Sequence, residues 1–523
     1  MVAAIRDEAP PVSVQTPDLN DPLPAAPSGM IRVEHDLLGD REVPIEAYYG
    51  VHTVRAVENF PISGVRVMRL SALVTALASV KQAAARANRD LGLIPADIAA
   101  AIDDACEEIR GGALHDHFVV DVIQGGAGTS TNMNANEVIA NRALELLGHQ
   151  RGEYAYCHPL DHVNRSQSTN DVYPAAVNVA TYDAIGILGD ALATLQESFS
   201  AKARELHDVV TMGRTQLQDA VPMTLGQIFA AYAETIDEDR HRLREARSLI
   251  TEIHLGGTAI GTGLNAPPGY AEAVRAHLEA ITGIPLITAP DLVEATQDLG
   301  AMVQVSGVLK RIAVKLSKTC NDLRLLSSGP RAGFGDITLP AVQAGSSIMP
   351  GKINPVIPEV VNQVAFEVIG NDVTITMAAE AGQLQLNAFE PVVTHRMFMS
   401  IDRLARASVV LAEKCVDGIT ANREHLRNAV LHSIGLATAL VPHLGYATAT
   451  AIAQEALATG AGVAELALAR GLIDPEQLAE ILKPENLVGG YAAGQAPREV
   501  QSGPHLSPSS QTSPAQTSTS EHQ

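Results

Sequence analysis

Four short clusters of hydroxyl, amide and glycine residues interrupt an otherwise apolar sequence. They are GTSTN at 128–132, SQSTND at 166–171, GRTQLQD at 213–219 and GSSIMPGKINP at 345–355. Hydroxyls, side-chain amides and helix N-terminal N–H groups can together hold a small dicarboxylate without an excess of positive charge. Any single cluster is equally what a helix cap or a turn requires, so the prediction of a binding site depends on all four.

The fourth cluster contains the cation that such a site needs. Lys352 and Asn354 would supply a cationic and an amide contact, and they follow a loop that contains Ser346 and Ser347 between two glycines. Flanking glycines permit such a loop to close over a ligand. No G-x-S-x-G motif surrounds either serine, which leaves proton abstraction rather than acyl transfer as its chemical role. A serine acts as a base only as a stabilised alkoxide, which requires burial, a nearby cation and backbone N–H donors.

Helical periodicity predicts the elements that carry these clusters. Apolar residues recur at helical spacing after Ser71 and after Asp171. The clearest stripe lies in 299–326, broken only at Thr319, and consists of Met302, Val305, Leu309, Ile312, Leu316 and Leu323. Such a seam packs against neighbours in a long bundle, and helices of this length predict oligomerisation through the bundle.

The composition favours helix packed on helix and excludes several classes of partner. Hydrophobic residues make up 46% of the 523 residues, but only 3% are aromatic and none is tryptophan, so small aliphatic side chains must fill the core. The formal net charge of −22 argues against nucleic acid and against an anionic membrane as partners. The sequence also contains no apolar run long enough to span a bilayer and no signal peptide at its N-terminus.

Cysteine usage points to a reducing compartment. The four cysteines are far apart and form no CxxC pair: Cys106, Cys157, Cys320 and Cys415. Neither a disulfide framework nor a zinc site is predicted, and a cytoplasmic location is expected. No HExxH motif is present, so we expect neither a structural metal nor an organic cofactor.

Composition divides the chain into five segments. Residues 1–29 are rich in proline and residues 500–523 in Ser, Thr, Pro and Gln, so both are predicted to be disordered tails. Between them we expect an N-terminal helical domain at 30–169, a central long-helix bundle at 170–421 and a smaller C-terminal helical domain at 422–499.

The order of the clusters resembles that of a known family. GSSIMPGKIN at 345–354 resembles the signature of the aspartase/fumarase superfamily. Four further stretches resemble the family in the same order: RVEHDLLGDREVPIEAYYGVHTVRAVENFPIS at 32–63, GGAGTSTNMNANE at 125–137, QSTNDVYP at 167–174 and MGRTQLQDAVPMTLGQ at 212–227. The resemblance implies an all-α fold of three mostly helical domains. It also implies a homotetramer in which the long helices form a 20-helix core and the active sites are shared between subunits.

Within the superfamily the sequence resembles the ammonia-lyase branch, which deaminates L-aspartate reversibly to fumarate. The resemblance continues through PVIPEVVNQVAFEVIGND at 355–372 and AAEAGQLQLNAFEPV at 378–392. Fumarases, and some of the ammonia-lyases, are expected to carry histidine in place of Gln216, paired with a glutamate that matches Glu359. An ammonia-lyase expels a better leaving group than water and can dispense with that imidazole.

The resemblance also implies a role for each site residue. Ser346 would remove a proton from Cβ of aspartate and form an aci-carboxylate. The β-carboxylate would be held by Thr129, Ser168, Thr169 and Ser347; the α-carboxylate by Thr215, Lys352 and Asn354; and the amino group would face Asn170 and Gln216, with Glu359 behind Gln216. No metal ligand is assigned, although some family members are activated by Mg²⁺, so a divalent cation is kept as a candidate activator.

Several polar residues of the clusters are expected to be structural instead. Hydrogen bonds within the fold are expected for Thr131, Asn132, Asn134 and Gln218, and an ion pair is expected between Arg214 and Asp219. Three alternatives remain open: a fumarate hydratase, a catalytically silent superfamily member, and a lyase for argininosuccinate or adenylosuccinate. Retention of Ser346, Lys352 and Asn354 disfavours the silent member.

Overall fold

The structure, a computed structural model, describes residues 29–487. The predicted tails at 1–29 and 500–523 lie outside the described residues, apart from Gly29, and so does the stretch 488–499 at the end of the predicted C-terminal domain. The predicted domain limits within the described range stay predictions.

The described chain begins with a small helical unit. An antiparallel hairpin of β1 (Ile31–Asp36) and β2 (Gly39–Pro44) precedes α1 (Val51–Asn59), α2 (Ser71–Asp90), α3 (Ala96–Arg110) and α4 (Thr129–Leu146). Helix α2 begins at Ser71, as the apolar periodicity predicts, and its Leu73, Leu77 and Val80 are fully buried.

Long helices dominate the middle of the chain. In order, the elements are α5 (Thr169–Glu205), β3 (Val210–Thr215), β4 (Gln218–Thr224), α6 (Leu225–Leu249), β5 (Glu252–Ile253), α7 (Tyr270–Thr282), β6 (Ile287–Thr288), α8 (Leu292–Ala295), α9 (Gly300–Leu326), β7 (Ile337–Thr338), α10 (Val356–Glu380), α11 (Glu390–Lys414) and β8 (Thr420–Ala421). Helix α5 is 37 residues long, and α6, α9, α10 and α11 have 25, 27, 25 and 25 residues. These five helices pack side by side as a bundle.

The bundle helices alternate in direction in the order in which they follow one another along the chain, so the packed neighbours α5 and α11 are parallel. The β3–β4 hairpin turns the chain from α5 into α6, so these two helices are antiparallel. Lys202 near the end of α5 donates to the Ile419 carbonyl just beyond α11 at 2.9 Å, so α5 and α11 end together. Ser306 near the start of α9 donates to Asp372 near the end of α10 at 2.8 Å, so α9 and α10 are antiparallel.

The apolar stripe predicted in 299–326 forms the buried face of α9. All six of its apolar residues are buried, and the interrupting Thr319 is buried with them at 4% exposure. Helix α10 follows Pro355 directly and accommodates Pro358 in its first turn, where a missing backbone N–H costs nothing. The predicted apolar stripe of α9 is confirmed.

Short helices complete the described chain. They are α12 (Arg423–His432), α13 (Leu436–Leu444), α14 (Tyr446–Thr459), α15 (Val463–Ala469), α16 (Pro475–Ile481) and α17 (Pro484–Leu487). Helix α16 begins after Asp474, whose carboxylate caps the helix by accepting from Gln477 N at 2.7 Å. These helices share a second apolar core that includes Met212 of β3, which ties them to the hairpin.

The predicted all-α fold class is confirmed. Strands in the described residues form four two-stranded pairs, and helices supply nearly all of the core. Within residues 29–487, none of the helices combines the length and the apolar character required to cross a membrane.

Candidate active site

The four polar clusters fall into two groups at opposite ends of the bundle. The clusters at 128–132 and 166–171 form the N-termini of α4 and α5. The clusters at 213–219 and 345–355 lie at the other end, where α5 gives way to the hairpin and α10 begins. A helix of 37 residues spans about 55 Å at 1.5 Å per residue. One chain therefore cannot bring the two groups around one small molecule.

In the first group, a glycine allows α4 to approach α5 closely. Gly128 precedes α4 with φ of 88°, and a Cβ at this position would lie 2.5 Å from the Tyr173 ring of α5. Only glycine accepts both the left-handed backbone and this contact. The exposed Thr129 is the next residue, and its hydroxyl donates to the Gly126 carbonyl at 2.6 Å.

A hydrogen-bonded network joins the two N-termini of this group. Asn132 donates from Nδ2 to Thr169 Oγ1 at 2.9 Å and to Asn164 Oδ1 at 3.2 Å. Beneath it, Lys81 of α2 donates to Asn164 Oδ1 at 2.8 Å and to Gln167 Oε1 at 2.9 Å. Lys81 is fully buried, and this burial lowers its pKa to about 7. The network fixes the orientation of the Thr169 hydroxyl, which is predicted to contact substrate.

The start of α5 is held by a capping box. Ser168 Oγ accepts from Asn170 N at 3.2 Å, and Asp171 Oδ1 accepts from Ser168 N at 3.0 Å. The other Asp171 oxygen accepts from the backbone N–H groups of Gly256 and Thr258, each at 3.0 Å. Burial raises the pKa of Asp171, while these backbone donors oppose the shift by favouring its ionised form.

The loop after β5 also orients Asn170. The Asn170 side chain donates to the Ala259 carbonyl at 2.7 Å, and the backbone carbonyl of Asn170 accepts from His254 Nε2 at 2.8 Å. Because a carbonyl oxygen only accepts, the proton of His254 lies on Nε2. The side chain predicted to face the substrate amino group is thus fixed from the loop at 254–259.

In the second group, two predicted contacts lie at the tip of the β3–β4 hairpin. Thr215 and Gln216 are exposed, and Gln216 and Leu217 have φ of 53° and 64°. A two-residue hairpin loop that matches the right-handed twist of its strands requires the left-handed conformation at both turn positions. That conformation is strained for residues other than Gly, Asn and Asp. The turn projects Gln216 away from its own chain.

The predicted ion pair between Arg214 and Asp219 is wrong. Arg214 instead pairs with the buried Asp336 at 2.7 Å, and its guanidinium stacks over the Phe334 ring. Asp219 accepts from the Ser433 hydroxyl at 2.7 Å. The hairpin is therefore anchored on both sides by residues remote in sequence rather than by a bond across its own strands.

The loop at 345–354 is closed by two hydrogen bonds at its base. Gly345 N donates to the Lys352 carbonyl at 2.8 Å, and the Asn354 amide donates to the Gly345 carbonyl at 2.7 Å. A Cβ on Gly345 would lie 2.5 Å from the Lys352 oxygen, so this closure requires glycine. Asn354, predicted to contact the α-carboxylate, thus uses one amide N–H to shape the loop.

Ser346 is surrounded by donors from its own loop. Its Oγ accepts from Ile348 N at 3.2 Å and from Met349 N at 3.1 Å. Two backbone N–H groups on one hydroxyl oxygen stabilise the alkoxide relative to the alcohol. Ser347 and Lys352 are exposed in the single chain, and Glu359 lies partly buried in the first turn of α10. The desolvation that a serine base requires is not supplied by this chain alone.

The residues expected to be structural do make bonds within the fold. Thr131 contacts Gln124 through its backbone N–H at 3.0 Å, and Asn134 accepts from Val119 N and donates to the His117 carbonyl. Gln218 is the exception: it lies opposite Thr215 in the hairpin register, but its exposed side chain makes no hydrogen bond within the described residues. Asn132 makes the contact to Thr169 already described.

Sequence reasoning missed two buried charges that organise the site. Lys81 is the only charged residue between Ser71 and Ala85 of an apolar helix, a signal that could have marked it. Asp171 marks the start of a helical stretch in the sequence, but its carboxylate also fixes both Ser168 and the loop after β5. The sequence contains no sign of that second contact.

A family model described as "Lyase" matches residues 39–370, and one described as "Fumarase C C-terminus" matches residues 436–489. The first match alone covers more than half of the chain. The chain therefore belongs to this lyase family, as the resemblance to the aspartase/fumarase superfamily predicts.

Individual relatives narrow the comparison. The chain is 58% identical over 464 residues to the aspartate ammonia-lyase of Pseudomonas aeruginosa, covering 88% of this chain and 98% of that protein. It is 54% identical over 462 residues to the aspartate ammonia-lyase of Helicobacter pylori J99, covering 88% of this chain and 99% of that protein.

Solved structures agree with these relatives. A fumarate lyase:delta crystallin from Brucella melitensis bound to cobalt superposes with a TM-score of 0.86 at 57% identity, covering 88% of this chain and 100% of that chain. The recombinant class II fumarase from Schistosoma mansoni gives 0.83 at 35% identity, covering 88% and 100%.

The buried Lys81 predicts a pH dependence of stability. Its pKa is about 7 in the folded protein, against 10.5 for a free lysine side chain, so between these limits only the unfolded chain holds the proton. The free energy of unfolding therefore rises with pH in this window, by up to about 1.4 kcal/mol per pH unit. Below pH 7 the folded protein bears the full cost of burying the charged Lys81 amine. Urea denaturation from pH 7 to 10 should show wild type gaining stability relative to Lys81→Met.

The exposed Lys414 provides the control for this experiment. Lys414→Met should follow the wild-type curve throughout. Parallel curves for wild type and Lys81→Met would show that burial of Lys81 does not disfavour its charged form.

Proposed function

We propose that this chain catalyses the reversible deamination of L-aspartate to fumarate and ammonia, and so acts as a carbon–nitrogen lyase. The observation that carries the proposal is the position of Ser346, whose hydroxyl accepts two backbone N–H groups inside the signature loop. The relatives named aspartate ammonia-lyase, 54–58% identical over 87–88% of this chain, support the choice of substrate.

In the proposed reaction Ser346 acts as the base. The alkoxide removes a proton from Cβ, and the electrons of that C–H bond form the aci-carboxylate, which carries two negative charges on one carboxyl group. The Cα–N bond then breaks, ammonia leaves with that electron pair, and the carboxylate reforms as the double bond appears. The proton on Ser346 passes to ammonia, so that ammonium and fumarate balance aspartate.

The predicted contacts divide by charge between the two carboxylates. Neutral donors at the N-termini of α4 and α5, namely Thr129, Ser168 and Thr169, suit the β-carboxylate, where charge accumulates in the intermediate. Helix N-termini are favourable for anions for the same reason. Lys352 would give the α-carboxylate its one cation, and Asn170 and Gln216 would orient the amino group.

We propose a homotetramer in which each active site is shared between subunits. The two polar groups lie at opposite ends of a bundle about 55 Å long, so at least two chains must contribute to one site. Helix α10 also exposes a stripe of large apolar side chains at helical spacing: Phe366 at 63%, Val373 at 56% and Met377 at 66%. A stripe of this kind requires a covering partner. Five long helices from each of four chains would make the 20-helix core.

We propose no resident metal or organic cofactor, with a divalent cation acting at most as an activator. Lys352 supplies the positive charge that the substrate carboxylates need, and the proposed steps require no redox chemistry. A cytoplasmic location is also proposed, supported by four free cysteines that are all buried and reduced.

Fumarate hydratase is the second candidate, favoured by the match of residues 436–489 to the C-terminus of fumarase C. That reaction must protonate or activate water, a poorer leaving group than ammonia. Gln216 at the hairpin tip has no titratable group for this task, which favours deamination.

Absorbance of fumarate in the ultraviolet tests the reaction directly. With purified protein, L-aspartate should produce a steady increase in absorbance and L-malate should produce none. An increase with malate alone would make the protein a hydratase, and no increase with either substrate would exclude both reactions.

Replacement of Ser346 tests the base. Ser346→Ala should lower kcat by about 10²–10⁴-fold, the contribution typical of a positioned proton acceptor. The oligomer should persist in sedimentation, since the side chain bonds only within its exposed loop. Ser248→Ala, which removes an exposed hydroxyl on α6, should retain wild-type turnover; retention of turnover by Ser346→Ala would remove the assignment.

Mixed oligomers test the sharing of sites. Ser346→Ala and Thr129→Val change opposite ends of the bundle, and each variant alone should be inactive. After the two are unfolded together and refolded, about a quarter of the sites would combine an intact loop with an intact α4 terminus, and activity should recover to that extent.

A second mixture provides the matched control. Ser346→Ala and Lys352→Ala change the same loop, so each site of their mixed oligomer keeps one defect and activity should not recover. Absence of recovery in the first mixture as well would show that one chain supplies both ends of the site.

A further inference from the structure

A cavity of about 140 Å³ lies between the starts of α5, α9 and α11. His254, which donates to the backbone carbonyl of Asn170, is one of its lining residues. It is separate from the signature loop and the hairpin, which lie at the other end of the bundle. Pro174 and Val177 of α5, Met302 of α9 and Val393 of α11 give it apolar walls. None of the residues predicted to contact substrate lines it.

Its charged lining has a single sign. Glu294 and Asp298 are exposed at the mouth, Glu252 is partly buried, and Glu390 is buried at 5% exposure. No lysine or arginine is present among the described residues that line the cavity. Three carboxylates around a buried fourth produce a strongly negative potential in a confined space.

Glu390 has no partner for its charge. In the described chain its carboxylate makes no hydrogen bond or ion pair, in contrast to Asp171 and Glu137, which are also buried and each accept several N–H groups. Burial alone raises the pKa of Glu390 to about 8. The ionised form of Glu390 is therefore costly unless a ligand supplies both a positive charge and N–H donors, and such a ligand would be bound most strongly by that form.

We propose that this cavity binds a small ammonium cation, either ammonium itself or a short alkylammonium, with its N–H groups directed to Glu390. The inference does not rest on the proposed reaction, since it uses only the cavity and its lining. The described residues contain no cluster of three or more His, Cys, Asp or Glu side chains able to hold a metal ion, which disfavours a coordinated metal here.

The remaining lining fits this class of ligand. Asn178 donates to the Glu252 carbonyl from Nδ2, which leaves its Oδ1 to accept, and His254 donates from Nε2, which leaves Nδ1 to accept. An ammonium group has up to four N–H donors, and the apolar walls accept a methyl group. Ligands that carry a carboxylate, amino acids included, are disfavoured by the exposed carboxylates of Glu294 and Asp298 at the mouth.

Thermal unfolding of the full-chain oligomer at pH 8 tests the proposal. Methylammonium chloride should raise the Tm above its value in sodium chloride of equal ionic strength, by about 2 °C near saturation. Tetramethylammonium, which carries the same charge but no N–H donor, should give no increase. Glu390→Gln, of the same shape but uncharged, should abolish the methylammonium increase, and Glu234→Gln at an exposed site of α6 should keep it.

Three outcomes overturn the proposal. The first is an equal increase in Tm for methylammonium, tetramethylammonium and sodium, which would be an effect of ionic strength. The second is an equal increase in Tm with methylammonium for wild type and Glu390→Gln. The third is absence of any methylammonium effect together with weaker assembly of Glu390→Gln in sedimentation, which would show that a cationic side chain of another subunit fills the cavity. Should Glu390→Gln fail to fold, titration of wild type with ¹⁵N-ammonium followed by NMR line width decides, because free and bound ammonium differ in tumbling.

Discussion

The length of α5 determines how this protein can carry out its chemistry. The helix holds threonine and serine hydroxyls at its first residues, and the base and cation lie near its far end. The other four bundle helices, α6, α9, α10 and α11, are 25 to 27 residues long and pack in the same bundle, so they do not bring the two ends of α5 together. The apolar stripes that pack these helices and the sharing of sites between subunits are therefore two results of one architecture.

Around that scaffold, each end of the site is fixed by buried polar groups. Lys81 and Asp171 occupy positions where an unpaired charge would be expensive, and both are surrounded by amide partners instead of by counter-ions. Such networks lose their value when one member is removed, since the others remain buried and unsatisfied. These networks hold Ser168 and Thr169 in fixed positions at the start of α5.

Much of this arrangement could be predicted from the sequence because it depends on local rules. The stripe of α9, the start of α10 after Pro355 and the cap of α16 at Asp474 each follow from spacing within a few residues. The clusters themselves were visible for the same reason. Their roles came from resemblance to a family, since periodicity alone does not distinguish a cap from a ligand.

The failures are contacts between distant parts of the chain. Asp336 lies 122 residues beyond Arg214, whereas the expected partner Asp219 is five residues away and faces it across the hairpin. Proximity in sequence favours Asp219 as the partner of Arg214. Arg214 pairs with Asp336 instead, because water competes less for a buried carboxylate. The same limit hid the link from Lys81 to Asn164 and the cavity at Glu390, whose walls come from three helices.

The close contact between Gly128 and the Tyr173 ring has a further consequence for how the sequence can change. It sets α4 and α5 in one register at their first turns, while the far end of α5 is set by Lys202. One residue inserted between these two anchors would rotate the remainder of α5 by about 100° and advance it by about 1.5 Å. A single-residue insertion or deletion in this interval would therefore break one of the two anchors, so the spacing between Tyr173 and Lys202 is fixed by packing at both ends of α5.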